Sequence, residues 1–213
     1  AAAGATSAPH PTVAPLVFPQ PATSTRNDAL AVVWLEQDAS SGIGSLELAT
    51  LNSTSNRLHR PVEITSGPNA IAVPCVDNLT DTTHLVVWSQ SRFSAGTVPQ
   101  DASLVDLARS IDIWYGVVNS ASGTVEQTGV LPDDFAGFAS GRLEGNPVVT
   151  ALSAESGLVT WVVADPGSES SEIYYSIIAR DANGWKASPP STATSLPGTG
   201  RRRAPPGRAG HHR

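Results

Sequence analysis

Three times along these 213 residues the same succession of strand-like runs returns. The first copy is read as opening at Pro11-Thr12-Val13-Ala14, the second at Pro68-Asn69-Ala70-Ile71-Ala72-Val73 and the third at Pro147-Val148-Val149-Thr150-Ala151. Each opening leads to an apolar run closed by tryptophan: Ala31-Val32-Val33-Trp34, Leu85-Val86-Val87-Trp88 and Leu158-Val159-Thr160-Trp161. A third run follows at 46–51, 111–118 and 173–178. It ends in a segment rich in Asn, Asp, Ser and Gly, at 52–56, 119–123 and 180–185. Asn and Asp side chains bond nearby backbone and Gly accepts positive φ, so these segments read as tight hairpin loops. A fourth, outer strand is expected after each, near 61–65, 126–131 and 186–188.

A repeated unit built only of strands points to an all-β fold, a partial β-propeller of about three four-stranded antiparallel blades. The blades are expected at about 11–67, 68–134 and 145–190. An adhesion-type sandwich of seven to nine strands would share the alternation and the short turns. Residues 1–10 and 19–28 are rich in Ala, Pro, Ser and Thr and read as linker, while the Arg/Pro/Gly-rich stretch 191–213 reads as a disordered tail. One short helix is expected in an inserted connection from Ser89 to Ser110. There Leu104, Leu107, Ala108 and Ile111 recur at helical spacing, and Asp101 or Ser103 can cap the start. Three blades fall short of the four that the smallest rings need. The remaining blades are expected from a longer chain or a second chain.

The formal charge of -6 hides an asymmetry, because five arginines lie after Gly200. Without them 8 basic residues face 19 acidic ones, a body near -11, and such a surface excludes broad binding to a phosphate backbone. No nucleic-acid partner is expected. The single cysteine, Cys75, cannot form an internal disulfide and reads as a small buried thiol. The chain contains no Met, so residue 1 is not an initiator and the chain is expected to be processed or a fragment. No apolar run approaches the length of about 20 residues that spans a bilayer.

The succession Pro-x-Val-Ala, Val-Val-Trp, Ile-Tyr-Tyr and Asp-x-x-Gly-Trp resembles the blades of sialidase-like (BNR-type) β-propellers over about residues 11–190. The family's Asp-box, Ser-x-Asp-x-Gly-x-x-Trp, is matched only approximately, by Asn119-Ser120-Ala121-Ser122-Gly123 and Asp181-Ala182-Asn183-Gly184-Trp185. Catalysis of the sialidase kind, as the resemblance implies it, needs three arginines converging on a carboxylate, a Tyr nucleophile with a Glu base, and an Asp acid. Arg26, Arg60, Arg92, Arg142 and Arg180 lie at unrelated repeat positions, and Tyr174 and Tyr175 sit mid-strand. No catalytic residue is therefore assigned.

Two expanded connections, Ser89–Ser110 and Pro132–Glu144, should emerge on one rim of the blades, with the turns at Asn119 and Asn183 on the other. They would bring Arg92, Phe93, Asp133, Asp134, Phe135, Phe138 and Arg142 to a recognition patch for carbohydrate or protein, charge giving orientation and aromatic surface giving contact area. The competing reading has Phe135 and Phe138 pinning the loop to the blade edge. Trp34, Trp88 and Trp161 are expected to pack between blades, whereas Trp185 could be core or a sugar-stacking platform. The histidines are isolated or lie in the tail, and no metal site, cofactor or phosphate loop is expected. Asn52-Ser53-Thr54 and Asn78-Leu79-Thr80 are glycosylation acceptor tripeptides, compatible with an extracytoplasmic or secreted protein. The leading reading is a non-enzymatic propeller segment with a recognition rim, and the alternative is a fragment of a divergent sialidase-like glycoside hydrolase.

Overall fold

The computed structural model describes residues 20–23, 29–37, 43–52, 57–94, 101–132, 142–165 and 171–196. They form three antiparallel sheets that follow one another along the chain. Blade 1 comprises β1 (Gln20–Thr23), β2 (Ala29–Gln37), β3 (Gly44–Asn52), β4 (Arg57–Leu58) and β5 (Val62–Gly67). Blade 2 comprises β6 (Asn69–Asn78), β7 (Thr83–Ser94), β8 (Ile111–Asn119) and β9 (Thr124–Val130), with helix α1 (Leu104–Arg109) between β7 and β8. Blade 3 comprises β10 (Leu143–Ser153), β11 (Ser156–Ala164), β12 (Ser171–Asp181), β13 (Gly184–Ala187) and β14 (Ser191–Leu196). In blades 1 and 3 the outer strand is broken in two: β4 and β5 both pair with β3, and β13 and β14 both pair with β12. The described residues form a partial β-propeller of three blades.

The three tryptophans mark a common register. Second and third strands pair over nine positions in every blade, and Trp34, Trp88 and Trp161 each take the sixth, opposite Glu47, Trp114 and Tyr174. Alternate residues of a strand face opposite ways, so this register decides which blade each tryptophan meets. Trp88, fully buried, packs against Ala31, Val33, Leu46, Leu48, Val62 and Ile64 of blade 1. Trp161 packs in the same sense against Leu85, Val87, Ile113, Tyr115 and Val117 of blade 2. Trp88 and Trp161 each lean on the preceding blade and give two continuous cores, whereas Trp34, expected to pack between blades, is only partly buried and meets no preceding blade among the described residues. Gly116 makes room for the wedge of its own blade: an added Cβ would lie 3.0 Å from Ile64 Cγ2 and 3.3 Å from Trp88.

That register also corrects the phase of the repeat. In β6 the pairing skips from Ala72 to Cys75, and in β10 from Gly145 to Val148. Relative to the tryptophans these are the same bulge, so Pro74, and not Pro68, is the counterpart of Pro147. In blade 1 the matching position after the proline is Gln20, opposite Val33, which makes Pro19 the third counterpart in the sequence. Proline lacks the N–H that a ladder requires and is tolerated at bulges and edge strands, and the innermost strand of each blade has one unpaired edge. The expected opening at Pro11 lies outside the described residues. Two segments expected to lack structure contain strands: β1 within the stretch read as linker, and β14 within the stretch read as tail.

Polar bonds between blades supplement the apolar cores. Asp77 Oδ2 accepts from the backbone N–H of Ala151 at 2.7 Å, tying β6 to β10. Gln127 lies against blade 3 as a strand would, its Oε1 accepting from Trp185 N at 2.8 Å and its Nε2 donating to Trp185 O at 2.6 Å. Trp185 is buried and its indole N–H donates to Glu126, so it belongs to the core and offers no stacking platform.

Asn78 Nδ2 donates to Ala29 O at 2.9 Å, and its Oδ1 accepts from His84 Nδ1 at 2.6 Å. This tautomer leaves His84 Nε2 to accept from Ser120 Oγ at 2.9 Å. Asn78 is only 2% exposed. Its amide nitrogen bonds Ala29 and has no room for a glycan on the folded chain, which corrects the reading of Asn78 as a possible glycosylation acceptor. The side chain of Asn52 lies outside the described residues.

Candidate functional site: the rim at blades 2 and 3

Strand direction fixes which connections share a rim. The ends of β7, β9 and β11 and the starts of β8, β10 and β12 all lie at one end of the sheets, and the turns at Asn119 and Asn183 lie at the other. Phe93 and Arg142 therefore stand on the same rim. Asp133, Asp134, Phe135 and Phe138 lie outside the described residues.

Helix α1 forms there because Ser103 caps it: Ser103 Oγ accepts from Asp106 N at 3.1 Å while the Asp106 carboxylate accepts from Ser103 N at 3.0 Å. This reciprocal capping box satisfies two donors that the first turn would otherwise leave open. Leu107 and Ala108 of α1 line an apolar cavity of about 510 Å³, together with Pro68, Ala70 and Ala72 from the start of blade 2 and Phe93 and Ile111 beside them. Ser89 and Ser91 are the hydroxyl-bearing residues of its wall. Ser91 bonds Ser110 and the backbone N–H of Phe93. Ser89 Oγ is buried and has no hydrogen-bond partner among the described residues.

Arg92 turns away from that wall. Alternation along β7 puts it on the side of Trp88, where its guanidinium forms a two-point ion pair with Asp112, the Nε contact being 2.6 Å. The fork geometry suits a carboxylate and fastens the end of β7 to the start of β8. Arg92 and Phe93, adjacent in sequence, thus serve opposite faces of the blade.

Arg142 stands immediately before β10 in the richest polar cluster of this rim. Its Nε lies 2.7 Å from Asp165 Oδ1, and its NH1 donates to Glu172 Oε2 at 3.4 Å and to Tyr174 OH at 3.3 Å. The Tyr174 hydroxyl donates to Glu172 Oε2 at 2.6 Å. Burial, and after it the hydrogen bond to Glu172, pushes the Tyr174 phenol up, so it stays protonated as a donor. Its ring packs against Trp161, 6.2 Å between centroids. The Arg142, Asp165 and Glu172 side chains are each about one third to one half exposed. Helix α1 contacts β10, so the polar cluster and the apolar cavity share the boundary between blades 2 and 3.

Sequence reasoning placed Arg142 here but missed Asp165, Glu172 and Tyr174. The available signal was the i, i+2 spacing of Glu172 and Tyr174, which puts both on one face of a strand. Arg180 lies at the far end of β12, roughly 26 Å from Glu172 at about 3.3 Å per residue, so Arg142 and Arg180 do not converge. Arg26 lies outside the described residues. Among the described residues no three His, Cys, Asp or Glu side chains gather as metal ligands, and no helix is long and apolar enough to cross a membrane.

No protein-family model matches the chain, and no curated protein does. Solved structures that resemble it include an alpha-L-arabinanase of Penicillium chrysogenum complexed with arabinobiose. That likeness has 15% identity and a TM-score of 0.47, over 80% of this chain and 46% of that one. An alpha-L-arabinofuranosidase of Fusarium graminearum in complex with an iminosugar inhibitor gives 13% identity and a TM-score of 0.48, over 82% of this chain and 49% of that one. The chain spans about half the length of these structures. The BNR repeat expected from the sequence has no counterpart among these comparisons.

Proposed function

We propose that the chain is a recognition segment that binds a carbohydrate at the rim between blades 2 and 3. The observation that carries this reading is Arg142, held by Asp165, Glu172 and Tyr174 beside an apolar cavity. A sugar presents hydroxyl groups along its edges and C–H groups on its faces. A fixed, partly exposed array of one guanidinium and two carboxylates can address the first, and the wall formed by Phe93, Leu107 and Ile111 the second.

Binding fits this cluster better than catalysis does. A Tyr nucleophile must be accessible and activated, whereas Tyr174 is buried, and burial first and then the hydrogen bond to Glu172 push its phenol up and keep it protonated. One arginine serves the cluster where the sialidase arrangement calls for three. An extracytoplasmic location belongs to the same reading, and a glycan on Asn52, detected by enzymatic deglycosylation after secretion from a eukaryotic host, would support it.

A glycan array that includes arabino-oligosaccharides and sialosides tests the proposal. Wild type and Arg180→Ala should bind the same glycans, and Arg142→Ala should lose at least tenfold. A hydrogen bond to a charged group contributes about 1.5–3 kcal/mol, and about 1.4 kcal/mol is tenfold. Absence of binding by wild type, or undiminished binding by Arg142→Ala, would sink it. Release of reducing sugar from any of these glycans would move the reading to a glycoside hydrolase.

A further inference from the structure

The two end faces of the blade stack repeat the two sides of its internal interfaces. Trp161 is received on blade 2 by Leu85, Ile113, Tyr115 and Val117, all buried. In the common register the matching positions of blade 3 are Leu158, Ile173, Tyr175 and Ile177. Three of these four residue types recur unchanged, Ile177 replaces Val117, and Thr160 stands where blade 2 has Val87; the blade 3 side chains remain partly exposed, Ile177 by 38% and its neighbour Val148 on the same face by 52%. No described element of the chain covers them. At the other end, Trp34 and Val32 of blade 1 take the positions from which Trp88 with Val86, and Trp161 with Val159, pack onto a preceding blade. Both are only half-buried. Glu47, where the later blades have Trp114 and Tyr174, is the polar departure on this face, and burial pushes its carboxyl up.

We propose that two copies of this chain associate head to tail, the Trp34 face of each seated on the Leu158, Ile173, Tyr175 and Ile177 face of the other. The occupant is a second copy because the face that blade 3 presents repeats Leu85, Ile113 and Tyr115 as Leu158, Ile173 and Tyr175, with Ile177 for Val117 and Thr160 for Val87, and so resembles the face that already receives such a wedge inside the chain. Because the two faces differ, the contact is heterologous, and it stays finite only if the rotation closes. The three described blades of each copy make six together, within the four to eight blades of known rings. This inference is independent of the carbohydrate reading.

Sedimentation equilibrium of the full chain tests it. The expected mass is twice 22.0 kDa at micromolar concentration. A monomer at every concentration up to the solubility limit would overturn the proposal, and so would an open-ended series of oligomers. Trp34→Asp and Ile177→Asp should each be monomeric with cooperative unfolding retained. Their equimolar mixture should recover a dimer, because one intact wedge and one intact receiving face remain. A mixture that stays monomeric would equally overturn it. Leu158→Asp replaces Ile177→Asp should the latter fail to unfold cooperatively.

Discussion

Val73 and Asn146, in different blades, hold the same left-handed backbone conformation, φ 49° and 54°, each one residue before a proline. Both sit in the bulge of an innermost strand. Asn tolerates this region because its short polar side chain bonds locally, whereas a β-branched residue meets the following carbonyl at a cost of about 1–2 kcal/mol. Val73 is 41% exposed, so little burial compensates. Val73→Asn should therefore raise the stability by about 1 kcal/mol, read from the urea midpoint, and Asn146→Val should lower it. A destabilised Val73→Asn protein would show that the valine is held by packing instead.

Trp88 is fully buried between blades 1 and 2, with its indole N–H bonded to Gln90 at 2.8 Å. Replacing it with Ala should cost about 3–5 kcal/mol. A loss below about 1 kcal/mol, the range of surface substitutions, would mean that the wedge does not hold the blades together.

Gln127 joins blades 2 and 3 through both backbone groups of Trp185. Gln127→Ala leaves these groups without partners in a part-buried position and should cost about 1–3 kcal/mol. Gln127→Glu keeps the acceptor but loses the donor, so an intermediate loss is expected. Equal stability of all three proteins in denaturant titration would contradict the assignment.

His84 makes the stability depend on pH. Burial pulls its imidazole down to about 4 from 6.5, so between these values the unfolded chain binds a proton that the folded chain does not. Stability is fully present above pH 6.5, falls as the pH drops toward 4, and levels off below. The full loss is about 3 kcal/mol. Urea midpoints measured across this range should decline in wild type and decline less in His84→Asn. Parallel curves for the two proteins would assign the dependence to other groups.

Much of the architecture was legible because it rests on side-chain chemistry that repeats: the tryptophan at the end of a β-branched run, the Asn- and Gly-rich turns, and the Ser103 cap. The phase of the repeat was not. Pro68 precedes an apolar run as Pro147 does, whereas Pro74 interrupts one, and an interrupting proline reads as a break until the bulge is seen. β1 and β14 were hidden by Pro, Ser and Thr, and take strand form because β2 and β12 offer them ladders. Asn78 was misjudged because a glycosylation tripeptide carries no information on burial. At the rim, Arg142 was visible as a charge in a long connection, but its partners flank another one, Asp165 just after β11 and Glu172 and Tyr174 in β12, and only folding brings them together.

The claim that the blade 2–3 rim is the binding surface is tested most directly by mapping backbone amide shifts on addition of the oligosaccharide that binds best on the array. The account predicts that the largest changes fall at Ser91, Phe93, Leu107, Arg142, Asp165 and Glu172 and disappear in Arg142→Ala. Changes centred on the turns at Asn119 and Asn183, at the opposite end of the same strands, would contradict it.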